Sequence, residues 1–277
     1  MTSAGSGDES SGRLRGRVAI VTGGGRGLGR AMALGLAREG ATVVVTAARA
    51  EAEVQSTVAE AKSGRIVAVQ ADVTKPEDCT RVVDLALAEG GRLDLLVNNA
   101  GRGMRYVSET FLTEPTHFWE TDPEVWRMVI DTNVNGPFLM ARACAPVMIR
   151  AGAGRIVNIS MNRATMRRAG FSPYGPSKAA LESETVIWAQ DLAATGVTVN
   201  ALLPGGATLT GMIPEGLDEA VKRNLLDPAI IVPPLLWLAS SEADGVTGLR
   251  FDAAVWASLR DAGHDEAATA RACGEAL

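Results

Sequence analysis

Histidine, cysteine and aromatic residues are all scarce in this chain, and each shortage removes a class of chemistry. The 277 residues hold two histidines, His117 and His264, too few for a zinc centre built on several imidazoles. The three cysteines, Cys79, Cys144 and Cys273, are odd in number and lack C-x-x-C spacing. That excludes a disulfide framework and a structural zinc knuckle, and it marks reduced thiols in a cytoplasmic protein. No apolar run reaches membrane-spanning length, and the Ser/Gly-rich start lacks the apolar stretch of a signal peptide, so no membrane contact is expected. A net charge of −5 provides no dense positive stripe for a nucleic-acid backbone. Neither a G-x-S-x-G elbow nor a Walker-type lysine loop occurs, which sets aside the hydrolases and ATPases built on them. No metal ligand set is expected.

Aromatics make up 4% of the chain while hydrophobic residues make up 47%, the balance being Ala-, Val- and Leu-rich. That composition suits helices packed closely on a parallel sheet. Apolar, β-branched runs at Val18–Val21, Thr42–Val45, Ile66–Val69, Leu93–Val97, Arg155–Ile159, Val197–Leu203 and Leu249–Phe251 predict seven strands. Segments of helical periodicity, such as Leu28–Arg38, Ala50–Ala61 and Pro76–Ala88, alternate with them. The expectation is an α/β fold: a single-domain doubly wound parallel sheet, of Rossmann type, with about seven strands and helices on both faces. Residues 1–13 are expected as a flexible tail, 14–254 as the domain, and 255–277 as a C-terminal extension, helical or loose.

After the first strand comes Thr22-Gly23-Gly24-Gly25-Arg26-Gly27-Leu28-Gly29-Arg30, leading into an Ala/Leu-rich helix. Glycines let a backbone approach a pyrophosphate without a Cβ clash, and the positive helix end stabilises its charge. The spacing Gly23-x-x-x-Gly27-x-Gly29 differs from G-x-G-x-x-G. Further on stand Asp72-Val73, Asn98-Asn99-Ala100-Gly101, Asn133 in Asn-Val-Asn-Gly, Tyr174-Gly-Pro-Ser-Lys178 and Pro204-Gly205. In this order the motifs resemble those of the short-chain dehydrogenase/reductase family, across nearly the whole domain.

The resemblance implies an NAD(P)-dependent oxidoreductase that moves a hydride between nicotinamide and a carbonyl or alcohol of a small organic substrate. It implies adenine contacts at Asp72 and Val73, ribose and sheet support from Asn99, Ala100 and Gly101, and a nicotinamide loop at Pro204 and Gly205 with Thr208 or Thr210 as hydroxyl donor. A homo-oligomer, tetramer or dimer, is also implied. Leu28 lies within the phosphate turn. The second strand ends in Val45-Thr46-Ala47-Ala48-Arg49, without the carboxylate that would repel a 2′-phosphate. Arg49 and Arg26 are therefore set to face one, and NADP(H) is expected ahead of NAD(H); the competing reading sends both arginines to solvent.

Ser172 and Pro173 read as the cap and first residue of a helix. Tyr174 and Lys178 then share one face at i, i+4, so an ammonium stands beside a phenol and favours its ionised form. In the family's manner Tyr174 would be the general acid or base and Lys178 would also hold the nicotinamide ribose. The backbone of Asn133 would hold a water linking Lys178 to solvent, with Asn135 as the nearby competitor.

The pattern breaks where the family places a serine that binds the substrate oxygen, thirteen residues before the tyrosine; here that residue is Met161. A thioether donates no hydrogen bond. Ser160 turned inward is the expected replacement, against Asn162 or Thr165, or none. The stretch between Asn99 and Asn133 is longer than the resemblance implies and carries Phe111, Pro115, His117, Phe118 and Trp119, readable as a lid, a subunit contact or a local staple. Trp126 is expected in the helix core. Arg102, Arg105, Arg163, Arg167 and Arg168 admit an anionic substrate or ordinary surface pairing. Because Met161 removes the usual donor, a catalytically weak dinucleotide-binding sensor is the alternative on the same fold.

Overall fold

The computed structural model describes residues 12–277 except 50, 215 and 217. Strands β1 (Val18–Val21), β2 (Thr42–Ala47), β3 (Arg65–Gln70), β4 (Leu95–Asn98), β5 (Gly154–Ile159), β6 (Val197–Leu203) and β7 (Leu249–Asp252) form one parallel sheet in the order β3-β2-β1-β4-β5-β6-β7. β8 (Glu275–Ala276) adds an antiparallel edge beside β7. The helices are α1 (Gly27–Arg38), α2 (Glu51–Glu60), α3 (Pro76–Gly90), α4 (Pro123–Ile130), α5 (Gly136–Ala151), α6 (Arg163–Met166), α7 (Tyr174–Asp191), α8 (Glu219–Lys222), α9 (Val232–Ala239), α10 (Ala253–Asp261) and α11 (Glu266–Cys273).

Both faces of the sheet are covered, which is why its strands read as unbroken apolar runs. Along β1, Ala19 and Val21 pack with α1, α9, α10 and α11, while Val18 and Ile20 pack with α3, α5 and α7. The chain leaves β1 to opposite sides, toward β2 and toward β4, and the carboxyl ends of these strands open a crevice at that switch point.

All seven expected strands are present, Leu93 excepted, since β4 starts at Leu95. The eighth strand was not foreseen. Residues 255–277 fold as most of α10, α11 and β8, and bury Trp256, Ala270 and Cys273 in the core; the boundary expected at Ala254 falls inside α10. Residues 1–11 of the expected tail lie outside the described residues, as does Ala50. Arg13, placed in that tail, is instead anchored: its backbone N–H donates to Glu39 at 3.1 Å and its guanidinium pairs with Glu242 and Glu266. Trp126 is not core, being 39% exposed on the amphipathic α4. Among the described residues no helix is long and apolar enough to cross a membrane.

Candidate active site

The glycine turn is stapled to the end of β4. Asn99 donates its side-chain amide to the carbonyls of Thr22 (2.8 Å) and Gly23 (3.1 Å), and the Thr22 hydroxyl accepts from the backbone N–H groups of Asn99 and Ala100, both at 3.0 Å. Gly23 and Gly27 have φ of 65° and 53°, values a side chain disfavours. Arg26 caps α1 with no side-chain bond, and the first turn holds no acid, so its N–H groups stay open to an anion.

In front of them lies a cavity of about 550 Å³. Its walls include Gly23, Arg26, Gly27, Leu28 and Gly29 from the turn, Arg49 after β2, Asp72 and Val73 after β3, and Asn99, Ala100 and Gly101 after β4. This volume, bordered by close-approach glycines and a free helix end, fits the pyrophosphate and adenosine of a dinucleotide. Asp72 accepts from the N–H (3.0 Å) and hydroxyl (2.8 Å) of Thr74, which fixes the turn after β3. Arg49 is exposed on the wall, and Arg26 pairs with Glu53 at 3.1 Å. Glu53 escaped the sequence reading because it stands in the first turn of α2 rather than at the end of β2.

Tyr174 and Lys178 stand at the start of α7, one turn apart. The helix begins at Tyr174 with Pro173 as N-cap, so Ser172 is not the cap. Lys178 is buried, donates to the Ile159 carbonyl at 2.7 Å, and lies 6.0 Å from the centre of the Tyr174 ring. The Tyr174 hydroxyl makes a long contact, 4.0 Å, to Met212 Sδ. Burial pushes the phenol up to about 12. It pushes the lysine down to about 8, against the opposing charge of Glu182. Burial thus outweighs the neighbouring charge, and the expected phenolate is not favoured in the chain itself.

Asn133 lies in a π-helical turn, Asp131–Asn135, between α4 and α5. It is fully buried, accepts from the Arg102 N–H (2.8 Å), and donates to the Arg102 carbonyl (2.9 Å) and Ser177 Oγ (3.0 Å). Ser177 in turn donates to the Tyr174 carbonyl at 2.7 Å. Asn133 therefore ties the exit of β4 to the first turn of α7, while Asn135 points outward to Asp131.

The structure gives Ser160 a different task from the expected one. Its hydroxyl donates to Glu182 at 2.7 Å, whereas Met161 packs in an apolar cluster with Met104, Phe111, Met166, Phe171 and the Tyr174 ring. Successive extended residues face opposite ways, so Met161 takes the position beside Tyr174. Asn162 caps α6 by accepting from the Thr165 N–H at 2.7 Å. A Met161→Ser variant is expected to raise kcat/KM by at least about tenfold, since one such donor is worth roughly 10²–10³ in acyl-transfer sites; Ser160→Ala should stay within about twofold of the parent. Steady-state kinetics decide it, and a severe Ser160→Ala defect restores the serine reading.

Pro204 is buried at the end of β6, and Gly205, at φ 94°, leaves no room for a Cβ against Asp252. Thr208 turns inward, donating to the Gly206 carbonyl at 3.1 Å, and does not border the cavity. Thr210 does, directly across from Gly27. Of the two expected candidates, Thr210 is therefore the one on the cavity wall. Beyond it Met212 lies between the cavity and Tyr174, over Gly101 and Gly103. No sequence signal marked Met212, because a loop methionine carries no periodicity.

The long segment after β4 divides in two. Its first part joins the cluster at Tyr174 through Met104 and Phe111, and Thr116 donates to the Gly170 carbonyl at 2.8 Å. Its second part is outside: Phe118 and Trp119 are 69% and 67% exposed, with His117 stacked on Trp119. Most of the nearby arginines are engaged. Arg102 lies over the Tyr106 ring, Arg105 grips Glu109 and the Gly211 carbonyl, and Arg168 lies over Phe171.

A fold with a glycine-turn crevice at its switch point, and a half-buried tyrosine one turn from a buried lysine nearby, defines a dinucleotide-dependent oxidoreductase class. The family model for short chain dehydrogenases matches residues 17–219, and the chain belongs to that family. A 3-oxoacyl-acyl-carrier-protein reductase of Synechocystis is 38% identical over 194 residues, 69% of this chain and 74% of that protein. A 3-alpha-(or 20-beta)-hydroxysteroid dehydrogenase of Mycobacterium tuberculosis is 34% identical over 245 residues, covering 87% and 89%. The crystal structure of a short chain dehydrogenase from Burkholderia cenocepacia in complex with NADP superposes with a TM-score of 0.74 at 31% identity, over 87% of this chain and 98% of that one.

Proposed function

We propose that the chain is an NADP(H)-dependent reductase of small, largely apolar carbonyl compounds, able to run in reverse as an alcohol dehydrogenase. The carrying observation is the Tyr174–Lys178 pair, a half-buried phenol and a buried ammonium one helical turn apart, with the phenol next to Met212 on the wall of the glycine-turn cavity. The glycine turn and the N-terminus of α1 would hold the pyrophosphate, Asp72 and Val73 the adenine, and Lys178 the nicotinamide ribose. When bound, the dinucleotide supplies or accepts the hydride.

Tyr174 keeps its proton through neutral pH, which suits it to donate to a carbonyl oxygen as negative charge develops there. Lys178, charged below about 8, favours the phenolate left behind. Asn133 holds the backbone that carries both. The apolar cluster packed around the Tyr174 ring, Met104, Phe111, Met161, Met166 and Phe171, would keep water from the phenol and favour a hydrocarbon substituent on the substrate, in keeping with the steroid dehydrogenase among the relatives. A panel of aldehydes, ketones and alcohols with both coenzymes, followed by absorbance of the reduced nicotinamide, tests the reading. Turnover confined to charged substrates contradicts it.

Met161 and the packed cluster favour one second reading, a dinucleotide-binding sensor without efficient chemistry. Coenzyme binding by fluorescence with no turnover across the panel selects it.

Arg49 on the open wall, with no acid ending β2, supports NADP(H), as does the NADP complex of the Burkholderia protein. Arg49→Asp is expected to lower the kcat/KM ratio of NADPH over NADH by at least about tenfold. An unchanged ratio removes Arg49 from coenzyme choice. A cytoplasmic homo-oligomer, tetramer or dimer, fits the buried free thiols and the exposed Phe138 and Ile187 on α5 and α7; light scattering showing a monomer contradicts it.

A further inference from the structure

Behind Lys178 lies a buried ion pair that takes no part in the proton transfer above. Glu182, one turn after Lys178 on α7, meets Arg250 in β7 at 2.9 Å, their side chains 11% and 7% exposed. Arg250 also donates from Nη2 to the Met161 carbonyl at 2.8 Å, and its Nη1 faces Glu275 of β8 at 3.6 Å. Glu182 Oε1 accepts the Ser160 hydroxyl besides the guanidinium. Two consecutive residues at the exit of β5 are therefore bound to one charge pair. Ser160 is drawn toward Glu182, and Met161, its carbonyl fixed by Arg250, turns its side chain to Tyr174. Lys178 is seated on the same exit through the Ile159 carbonyl.

A buried pair of this kind adds little net stability, because desolvation offsets the attraction, and well-packed apolar replacements are often neutral or better. What it supplies here is register at the place where the chain departs from its family's serine. We propose that Glu182 and Arg250 are positioning residues of the active site: Arg250 sets which β5 side chain meets Tyr174, and Glu182 places a carboxylate one turn from the Lys178 ammonium. The proposal rests on the Tyr174–Lys178 reading.

The charged groups around Lys178 are few. Tyr174 and Glu182 come from α7, Arg250 from β7 and Glu275 from β8 behind it, while from the α6 side Arg163 faces Glu275 at 3.9 Å and, with Arg167, borders Glu182. β5 offers only a backbone carbonyl, and the 131–135 turn only the neutral Asn133, through Ser177. Burial lowers the Lys178 pKa and Glu182 opposes that shift. Removing the carboxylate lowers it further, so any step needing the ammonium fails at a lower pH than in the parent.

The test compares the parent, Glu182→Gln, Arg250→Lys and the paired Glu182→Leu/Arg250→Met chain, measuring kcat against pH with the best carbonyl substrate from the panel. Glu182→Gln is expected to move the alkaline limb of kcat down by at least about one pH unit. Arg250→Lys keeps the charge but loses the fork that reaches Glu182 and Met161 together, and should lower kcat about tenfold with coenzyme KM unchanged. If single variants fail to fold, the paired apolar variant, which leaves no orphaned charge, is expected to fold and show both effects. Superimposable pH profiles with undiminished kcat in folded variants overturn the positioning role alone. A parent that binds coenzyme but shows no turnover overturns the active-site reading, and this inference with it.

Discussion

A Tyr174→Phe chain is expected to lose between about 10² and 10⁴ in kcat while its affinity for NADPH changes by less than about twofold. Among the described residues the hydroxyl's one hydrogen-bonding contact is the long one to Met212 at 4.0 Å, so its removal breaks no structural bond there, and the ring keeps its packing against Met161 and Phe171. The lost quantity is the proton itself. The chain has two tyrosines, Tyr106 and Tyr174, and Tyr106 is 45% exposed. In a Tyr106→Phe background, ultraviolet absorbance of tyrosinate therefore reports Tyr174 alone. A free phenol is half-ionised near pH 10, but burial pushes this one to about 12, so no signal should appear at pH 10. An acid whose pKa is raised on folding binds its proton more tightly in the native state, so this group weakens stability as pH rises past the unfolded value. A tyrosinate signal at pH 9, or a Tyr174→Phe chain with parental turnover, refutes the assignment.

The fold was legible because its determinants are local or periodic. Strands covered on both faces must be apolar throughout, and glycine is required where backbone approaches backbone, as at Gly23 and Gly29. The Tyr174–Lys178 pair was legible for the same reason, since one helical turn sets its geometry. What sequence could not show was decided by partners far along the chain. Ser160 and Met161 compete for one position, and the outcome depends on Arg250, which lies two strands away across β6. Arg13 resembled the Ser/Gly-rich segment before it until Glu242 and Glu266 were brought beside it. β8 is two residues long, too short for any alternation to register. Thr208 and Thr210 share one strand-exit pattern, and only the parallel bridge that pairs Thr208 with Leu226 separates them.

These same long-range choices give the crevice two ends of different rigidity. The dinucleotide end is stapled by bonds between the Thr22 hydroxyl or the Asn99 side-chain amide and the backbone. The substrate end, as proposed, adjoins a cluster rich in methionines, Met104, Met161 and Met166, whose unbranched side chains adapt to a neighbour. Binding of coenzyme should thus depend on exact backbone clearances, and acceptance of substrates should not.

Gly29→Ala measures the first of those dependences. A Cβ at this position would stand 2.2 Å from the Gly23 carbonyl oxygen and 2.5 Å from Asn99 Nδ2. The amide could swing aside, but the carbonyl is backbone in a turn whose other bonds hold it to β4. The first turn of α1 must then move away from the strand, carrying its open N–H groups out of reach of the pyrophosphate. A loss of at least about 100-fold in NADPH affinity is expected, equivalent to roughly 2.7 kcal/mol, with a lowered Tm. Adding Asn99→Ala should not restore binding, since it relieves only the softer contact. Gly103→Ala provides the contrast: it borders the same cavity, but its Cβ would meet only the Met212 side chain, at 3.3 Å to Sδ, and that thioether can shift. NADPH titration of the two variants, with circular dichroism to confirm folding, separates the cases. Parental affinity in a folded Gly29→Ala chain would mean that the turn does not cradle phosphate.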